Sequence, residues 1–363
     1  MVFAPMRVRS VVLLAMSAAS LFSSATADTV APSVRAGDPA FRYEGRFDRT
    51  DPDAPVVIWQ ASRIAVSFEG TSVTLLFEEI RDQVFIDATL DGQTTRIDLR
   101  AAQSSPTVEF RDLIPGRHTL ELFKRSEAAA GTVRFRGLAL DPGAGVFSVP
   151  APDYSKRMVF FGDSITVGAN SEDGAEDQWD DRATHNNAKG YATLMAQAFQ
   201  ADWRTIAVSG MGISEGYVPF TAKQIWDRVY PSPDAARADL DAWVPDLVFV
   251  NFGENDDSFT TSETRPFPPA FAEEFVALVR SMRAAWPEAQ IVVLRGGMFG
   301  GARSERLLGP WQAAVAELER TDPRITHFVF THWTEHHPRA RDHRILADEL
   351  IAWLRQQPFL AAP

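Results

Sequence analysis

The sequence contains no cysteine. Disulfide bonds, cysteine nucleophiles and cysteine-ligated zinc are therefore excluded. Basic charge is also in deficit: 36 Lys and Arg stand against 48 Asp and Glu, a formal net charge of -12. A protein that tracks a phosphate backbone carries a basic patch instead, so no nucleic-acid partner is expected. No apolar run is long enough to span a bilayer comfortably, so membrane insertion is not expected either. Helical periodicity is almost missing from residues 28–149, which excludes a helical bundle for that part of the chain.

What is present divides the chain into three. Arg7 and Arg9, the apolar run Val11–Met16 and the small-residue site Ala25-Thr26-Ala27 follow the three-part plan of a cleaved export signal over residues 1–27. The expected location of the mature protein is thus secreted or periplasmic. Residues 28–149 carry short alternating runs such as Ile64–Phe68, Ser72–Phe77, Gln83–Ala88, Thr107–Phe110, His118–Phe123 and Thr132–Arg136. Turn signals separate them, among them Asp91-Gly92, a hairpin dipeptide. Many short strands at close spacing predict an all-β sandwich. A Pro/Gly-rich stretch at Asp141–Asp153 marks the candidate linker.

From residue 155 to 363 the pattern changes. Apolar runs at Met158–Phe161, Thr205–Val208, Leu247–Asn251, Ile291–Leu294 and Ile325–Phe330 alternate with helix-period segments at Gly190–Phe199, Phe271–Ala285, Glu305–Glu319 and Arg344–Arg355. Alternation of this kind predicts a parallel α/β sheet in a flavodoxin-like order, with the site outside the carboxyl ends of its strands.

Three strand ends carry polar or glycine-rich turns: Gly162-Asp163-Ser164, Ser209-Gly210 and Gly253-Glu254-Asn255-Asp256. Ser164 needs a base to become a nucleophile, and Gly210 and Asn255 offer donors for an oxyanion. Seven histidines are candidates for the base. His118 and His327 fall in strands, and His185 sits in a polar loop. The rest cluster after the last strand, where His337, next to Pro338, is the chosen base and His336 its rival. Glu335, two residues before His337, is the candidate to orient the ring. Gly212-Ile213-Ser214-Glu215-Gly216 imitates a nucleophile elbow, but its serine lies too far beyond the strand. Trp333, beside the base, is the expected sugar-stacking residue. Trp59 reads as core, and Trp179 lies in an Asp/Asn-rich stretch, Gly174–Ala188, that either rims the cleft or is solvated. Asp256-Asp257 lacks a second ligand cluster, so no metal is expected.

Gly162-Asp163-Ser164-Ile165-Thr166, Gly210, Gly253-Glu254-Asn255-Asp256 and His337-Pro338 resemble, in order, the four blocks of the SGNH/GDSL hydrolases. That resemblance implies a three-layer α/β/α domain with Ser164 as nucleophile and His337 as base. It implies an oxyanion hole of the Ser164 N–H, the Gly210 N–H and the Asn255 side chain, and no cofactor. With the strand-rich part in front, the chain is similar to carbohydrate esterase family 2, in which a jelly-roll domain precedes the hydrolase domain. This similarity implies a serine esterase that removes acetyl groups from polysaccharides such as xylan or glucomannan, an acetylated carbohydrate being the partner. Most SGNH members place an aspartate three residues before the histidine, where this chain has Thr334. The acid is then Glu335, or a backbone carbonyl takes its place. An O-acetyltransferase with the same site, a non-catalytic carbohydrate-binding protein and a lipase or thioesterase remain as alternatives.

Overall fold

The strand-rich part is organised by one long strand. In the computed structural model, which describes residues 31–360 apart from 102, 104 and 105, Val73–Leu90 runs for 18 residues. The sequence pattern divides it into two strands at Glu78–Asp82. There the backbone turns left-handed at Glu79 and Asp82 (φ 47° and 58°), so the strand bends rather than ends. Its first half pairs with Gly131–Leu140 and Thr107–Phe110. Its second half pairs with Gln93–Arg100 and Gly116–Lys124. The bend turns one sheet into the two faces of the expected sandwich, and Val66, Phe68, Leu75, Phe77, Ile86, Leu120 and Phe135 fill the space between them. Asp91-Gly92 makes the hairpin between Leu90 and Gln93, both residues at positive φ as such a two-residue turn requires. The candidate export signal, residues 1–27, lies outside the described residues.

The second part is a five-stranded, wholly parallel sheet. Its order is Ala201–Ala207, Lys156–Gly162, Leu247–Asn251, Gln290–Met298, Ile325–Thr334, the flavodoxin-like arrangement. Both faces are covered, as a parallel sheet demands. Alternation along the strands sorts Val159, Phe161, Val248, Val250 and Val293 to one face, against the helices Phe271–Ala285 and Glu305–Thr321. Met158, Phe160, Phe249, Val292 and Leu294 go to the other, against Tyr191–Ala198 and Ala340–Leu354.

The two parts share a polar and apolar junction. Trp59 is buried in the first of these α/β cores, and its indole N–H donates to the Val229 carbonyl at 2.7 Å. Arg46 donates to the carbonyls of Trp226 and Arg228. Gln60 bridges the Ala207 carbonyl and the Ala128 N–H. No helix among the described residues is long and apolar enough to cross a membrane.

Candidate active site

The Lys156–Gly162 strand ends where its backbone must pass close to its neighbours. A Cβ on Gly162 would stand 2.1 Å from Thr166 Oγ1 and 3.0 Å from the Asn251 carbonyl oxygen. Asp163 then caps a single helical turn, Ser164–Val167, by accepting from the Ile165 N–H at 3.0 Å. This lifts Ser164 to the rim while keeping it only 4% exposed.

The sequence-predicted residues converge on one cleft of about 530 Å³. Ser164, Gly210, Asn255 and His337 all line it, although they come from four different strand ends. His337 Nε2 lies 2.8 Å from Ser164 Oγ. If the serine hydroxyl donates to Nε2, the neutral ring carries its hydrogen on Nδ1.

That Nδ1 meets Asp177 Oδ2 at 2.6 Å. Here the structure differs from the sequence expectation. Glu335 is exposed, with no hydrogen bond to the ring, because the chain turns its side chain to solvent between Thr334 and His336. Asp177 arrives instead from the 170–187 connection. Its other oxygen accepts from Arg339 at 2.7 Å, and the His337 N–H adds a third bond at 3.2 Å. Burial pushes the Asp177 carboxyl up, but the His337 ring and the Arg339 guanidinium prevail and hold it well below the usual carboxylate range. Arg339 also donates to the carbonyls of Asn170, Gly174, Ala175 and His337, binding the loop to the histidine segment.

Gly210 sits at φ 81°, a left-handed backbone that favours glycine. Neither its N–H nor that of Ser164 has a hydrogen-bond partner among the described residues. Asn255 lines the cleft, with its amide donating to Asp163 Oδ2 at 3.2 Å and to the Met211 carbonyl at 3.1 Å. Behind these donors lie three buried carboxyls. Burial raises Asp163 well above the ordinary range, helped by the charges of Glu254 and Asp256. It raises Glu254, which accepts from the Gly300 and Gly301 N–H groups. It lifts Asp256 to about 6 although three N–H groups of residues 213–215 point at it. Asp256 thus organises the backbone of the decoy motif, and Ser214 itself bonds Glu274.

The aromatic residues are also distributed differently from the sequence expectation. Trp333 is not part of the cleft lining. It packs edge-on against Phe299 with its ring centroid 5.9 Å away. Trp179 lines the cleft instead, 5.0 Å from the His337 ring in a T-shaped contact. His336 is exposed. His343 is fully buried, where desolvation drives it down to about 3. Sequence reading missed Asp177 and Glu127, another cleft residue. The signal for Asp177 was the acidic stretch that follows the Ser164 block, together with Arg339 just past the base. Asp177 itself lies 160 positions from His337, so no short spacing ties the two.

Residues 160–350 match the model of the GDSL-like lipase/acylhydrolase family. The chain belongs to that family. It is accordingly a carboxylic ester hydrolase. Residues 43–150 match the carbohydrate esterase 2 N-terminal model, so both halves of this family member are accounted for. It is 27% identical over 330 residues to cellulase/esterase CelE of Acetivibrio thermocellus, covering 88% of this chain but only 40% of that protein's length. It is 26% identical over 319 residues to an acetylxylan esterase / glucomannan deacetylase of Cellvibrio japonicus, covering 82% of this chain and 85% of that protein. Among solved structures it resembles a family two carbohydrate esterase from Clostridium thermocellum in complex with cellohexaose, with a TM-score of 0.76, 27% identity and coverage of 87% and 98% of the two chains.

Proposed function

We propose that this hydrolase is an exported esterase that removes O-acetyl groups from polysaccharides or their fragments, of the xylan or glucomannan type. The observation that carries the reading is the His337 ring, which bridges Ser164 Oγ at 2.8 Å and Asp177 Oδ2 at 2.6 Å. Support for the substrate comes from the acetylxylan and glucomannan activity in the name of a relative and from the oligosaccharide bound to another. Support for export comes from the Arg7/Arg9, apolar and Ala25-Thr26-Ala27 plan of residues 1–27.

In this reading His337 Nε2 takes the hydroxyl proton as Ser164 Oγ attacks the acetyl carbonyl. Asp177 holds the Nδ1–H and offsets the positive charge that forms on the ring. The Ser164 and Gly210 N–H groups receive the oxyanion, and the Asn255 amide joins them by exchanging its long bond to Asp163. Collapse expels the sugar hydroxyl, which takes its proton from His337. Water then attacks the acetyl-serine with the same ring as base, and acetate leaves.

The test is acetate release from acetylated xylan, acetylated glucomannan and acetyl-monosaccharides by wild type and Ser164→Ala. The reading expects release by wild type and a loss of about 10⁴-fold or more in the variant. Full activity in Ser164→Ala would remove the nucleophile. Preference for long acyl chains over acetyl would turn the reading toward a lipase or thioesterase. Acetyl transfer to an added glycan outpacing acetate release would turn it toward a transferase.

A further inference from the structure

One wall of the cleft holds a second group of polar atoms that the proposed chemistry does not use. Glu127 comes from the strand-rich domain, just after the Gly116–Lys124 strand, and reaches into the cleft although it is only 1% exposed. Its Oε2 accepts from the Ser209 N–H at 2.9 Å. Its Oε1 lies 3.5 Å from Arg182 Nη1 and 3.7 Å from His185 Nδ1. Around this carboxylate, Arg182 Nη1, Ser209 Oγ and both ring nitrogens of His185 are buried and have no hydrogen-bond partner among the described residues. Arg182, Ser209 and Trp179 line the same cleft. Buried polar groups are almost always paired, so such a group of open valences in a cleft calls for a ligand that supplies the partners.

The chemistry of the open positions narrows that ligand. An ionised carboxylate only accepts, a guanidinium only donates, and a serine hydroxyl does both. Adjacent hydroxyls of a pyranose satisfy all three, with one hydroxyl donating to Glu127 and its oxygens accepting from Arg182 and Ser209. A second anion would meet the carboxylate at once, and an apolar acyl chain would leave every one of these atoms unpaired. Burial pushes the Glu127 carboxyl up, but the His185 ring, the Ser209 N–H and Arg182 outweigh it and keep the group below the ordinary carboxylate range. It is therefore available as an acceptor at neutral pH.

We propose that Glu127, with Arg182 and Ser209, forms the subsite that reads the free sugar hydroxyls next to the ester, so that the strand-rich domain supplies a specificity residue to the active site. This rests on the acetyl-sugar reading above and adds to it which residues select a sugar over a simple ester. Glu127 also holds the Ser209 N–H, one residue before the proposed oxyanion donor Gly210. The test must therefore separate sugar recognition from positioning of that loop.

The experiment compares wild type, Glu127→Gln and Ser209→Ala by kcat/KM on acetylated xylo- and glucomanno-oligosaccharides and on 4-nitrophenyl acetate, which has no sugar. Ser209→Ala keeps the backbone N–H that Glu127 holds and removes only the open hydroxyl. The expected result is a fall in the sugar-to-nitrophenyl ratio of about 10–100-fold for Glu127→Gln, and a smaller fall of the same ratio for Ser209→Ala. A ratio unchanged in both variants overturns the proposal, and an equal loss on both substrates assigns Glu127 to loop positioning alone. If Glu127→Gln does not fold, as circular dichroism would show, Ser209→Ala decides. Calorimetry of xylotriose, mannotriose and cellohexaose binding to Ser164→Ala, with and without Glu127→Gln, gives a readout free of turnover. Weaker sugar binding in the double variant supports the subsite even if acetate is not the product. Equal binding overturns it while leaving the esterase reading standing.

Discussion

The active site draws on two regions that place their residues by different physics. Ser164, Gly210, Asn255 and His337 stand at the carboxyl ends of parallel strands, where a turn of a few residues fixes each one. Asp177, Trp179 and Arg182 ride on the long 170–187 connection, which has little regular structure and is held from outside. The strand-rich domain does much of the holding. Arg125 pairs with Asp87 at 3.0 Å and with Glu172, and donates to the carbonyls of Ala183 and His185. Gln83 bonds the Asp180 carbonyl and the Arg182 N–H, and Arg100 bonds Asp181. The comparison teaches that the sheet supplies the proposed nucleophile, base and oxyanion donors, while the proposed acid and one wall of the cleft depend on the neighbouring domain. The strand-rich domain is in this account a structural partner of catalysis, whether or not its own surface binds glycan.

Each side of that comparison can be broken separately. The largest effect is expected on the strand-end side: His337→Ala should lower kcat on 4-nitrophenyl acetate by about 10³–10⁴-fold or more with little change in melting temperature. Next comes the loop side. Arg125→Ala leaves the half-buried Asp87 without its ion-pair partner, while Glu172 keeps Lys189 and Asn186, and should cost about 2–4 kcal/mol in denaturant unfolding. It should also lower kcat by about 10–100-fold by loosening Asp177, because small misplacements of a catalytic group are costly. A stability loss without any loss of kcat would show that the loop holds its shape unaided.

The smallest effect concerns Lys124, which is buried at the same junction and donates to the carbonyls of Ser126 and Glu127. Burial pushes it down to about 7, against the opposing pull of Glu127. Between pH 7 and about 10.5 the unfolded chain keeps this proton and the native chain does not, so stability from this group rises with pH across that window and is constant below it. From pH 7 to pH 10, wild type should gain about 1–3 kcal/mol relative to Lys124→Met. An unchanging difference would mean that the lysine stays charged when buried.

The same division explains what the sequence made legible. The strand-ending motifs were readable because a buried strand, a glycine and a polar residue lie within a few positions, and the parallel order brings such ends to one rim. The five strands of that half and the helices Tyr191–Ala198, Phe271–Ala285, Glu305–Thr321 and Ala340–Leu354 follow from the apolar spacing, whereas the polar helix Glu254–Ser262 does not. Asp177 was not readable in the same way. It lies 160 positions from His337, and only folded contacts through Arg339 and Arg125 bring it to the ring. Glu335 was attractive because it is near in sequence, yet the last strand ends at Thr334 and the bend that follows leaves both Glu335 and His336 exposed. The bent strand Val73–Leu90 failed for a related reason: the mostly charged stretch Glu78–Asp82 interrupts the apolar runs Ser72–Phe77 and Gln83–Ala88 in the sequence, whereas pairing on both sides carries the strand through the bend.

The most direct test of the account is the kcat of Asp177→Asn beside that of Glu335→Gln, measured on 4-nitrophenyl acetate under saturating conditions. An acid delivered by the loop predicts a fall of about 10²–10⁴-fold for Asp177→Asn and a change within about twofold for Glu335→Gln. Near-normal turnover in Asp177→Asn together with a large loss in Glu335→Gln would contradict it, and would return the acid to the strand-end side of the site.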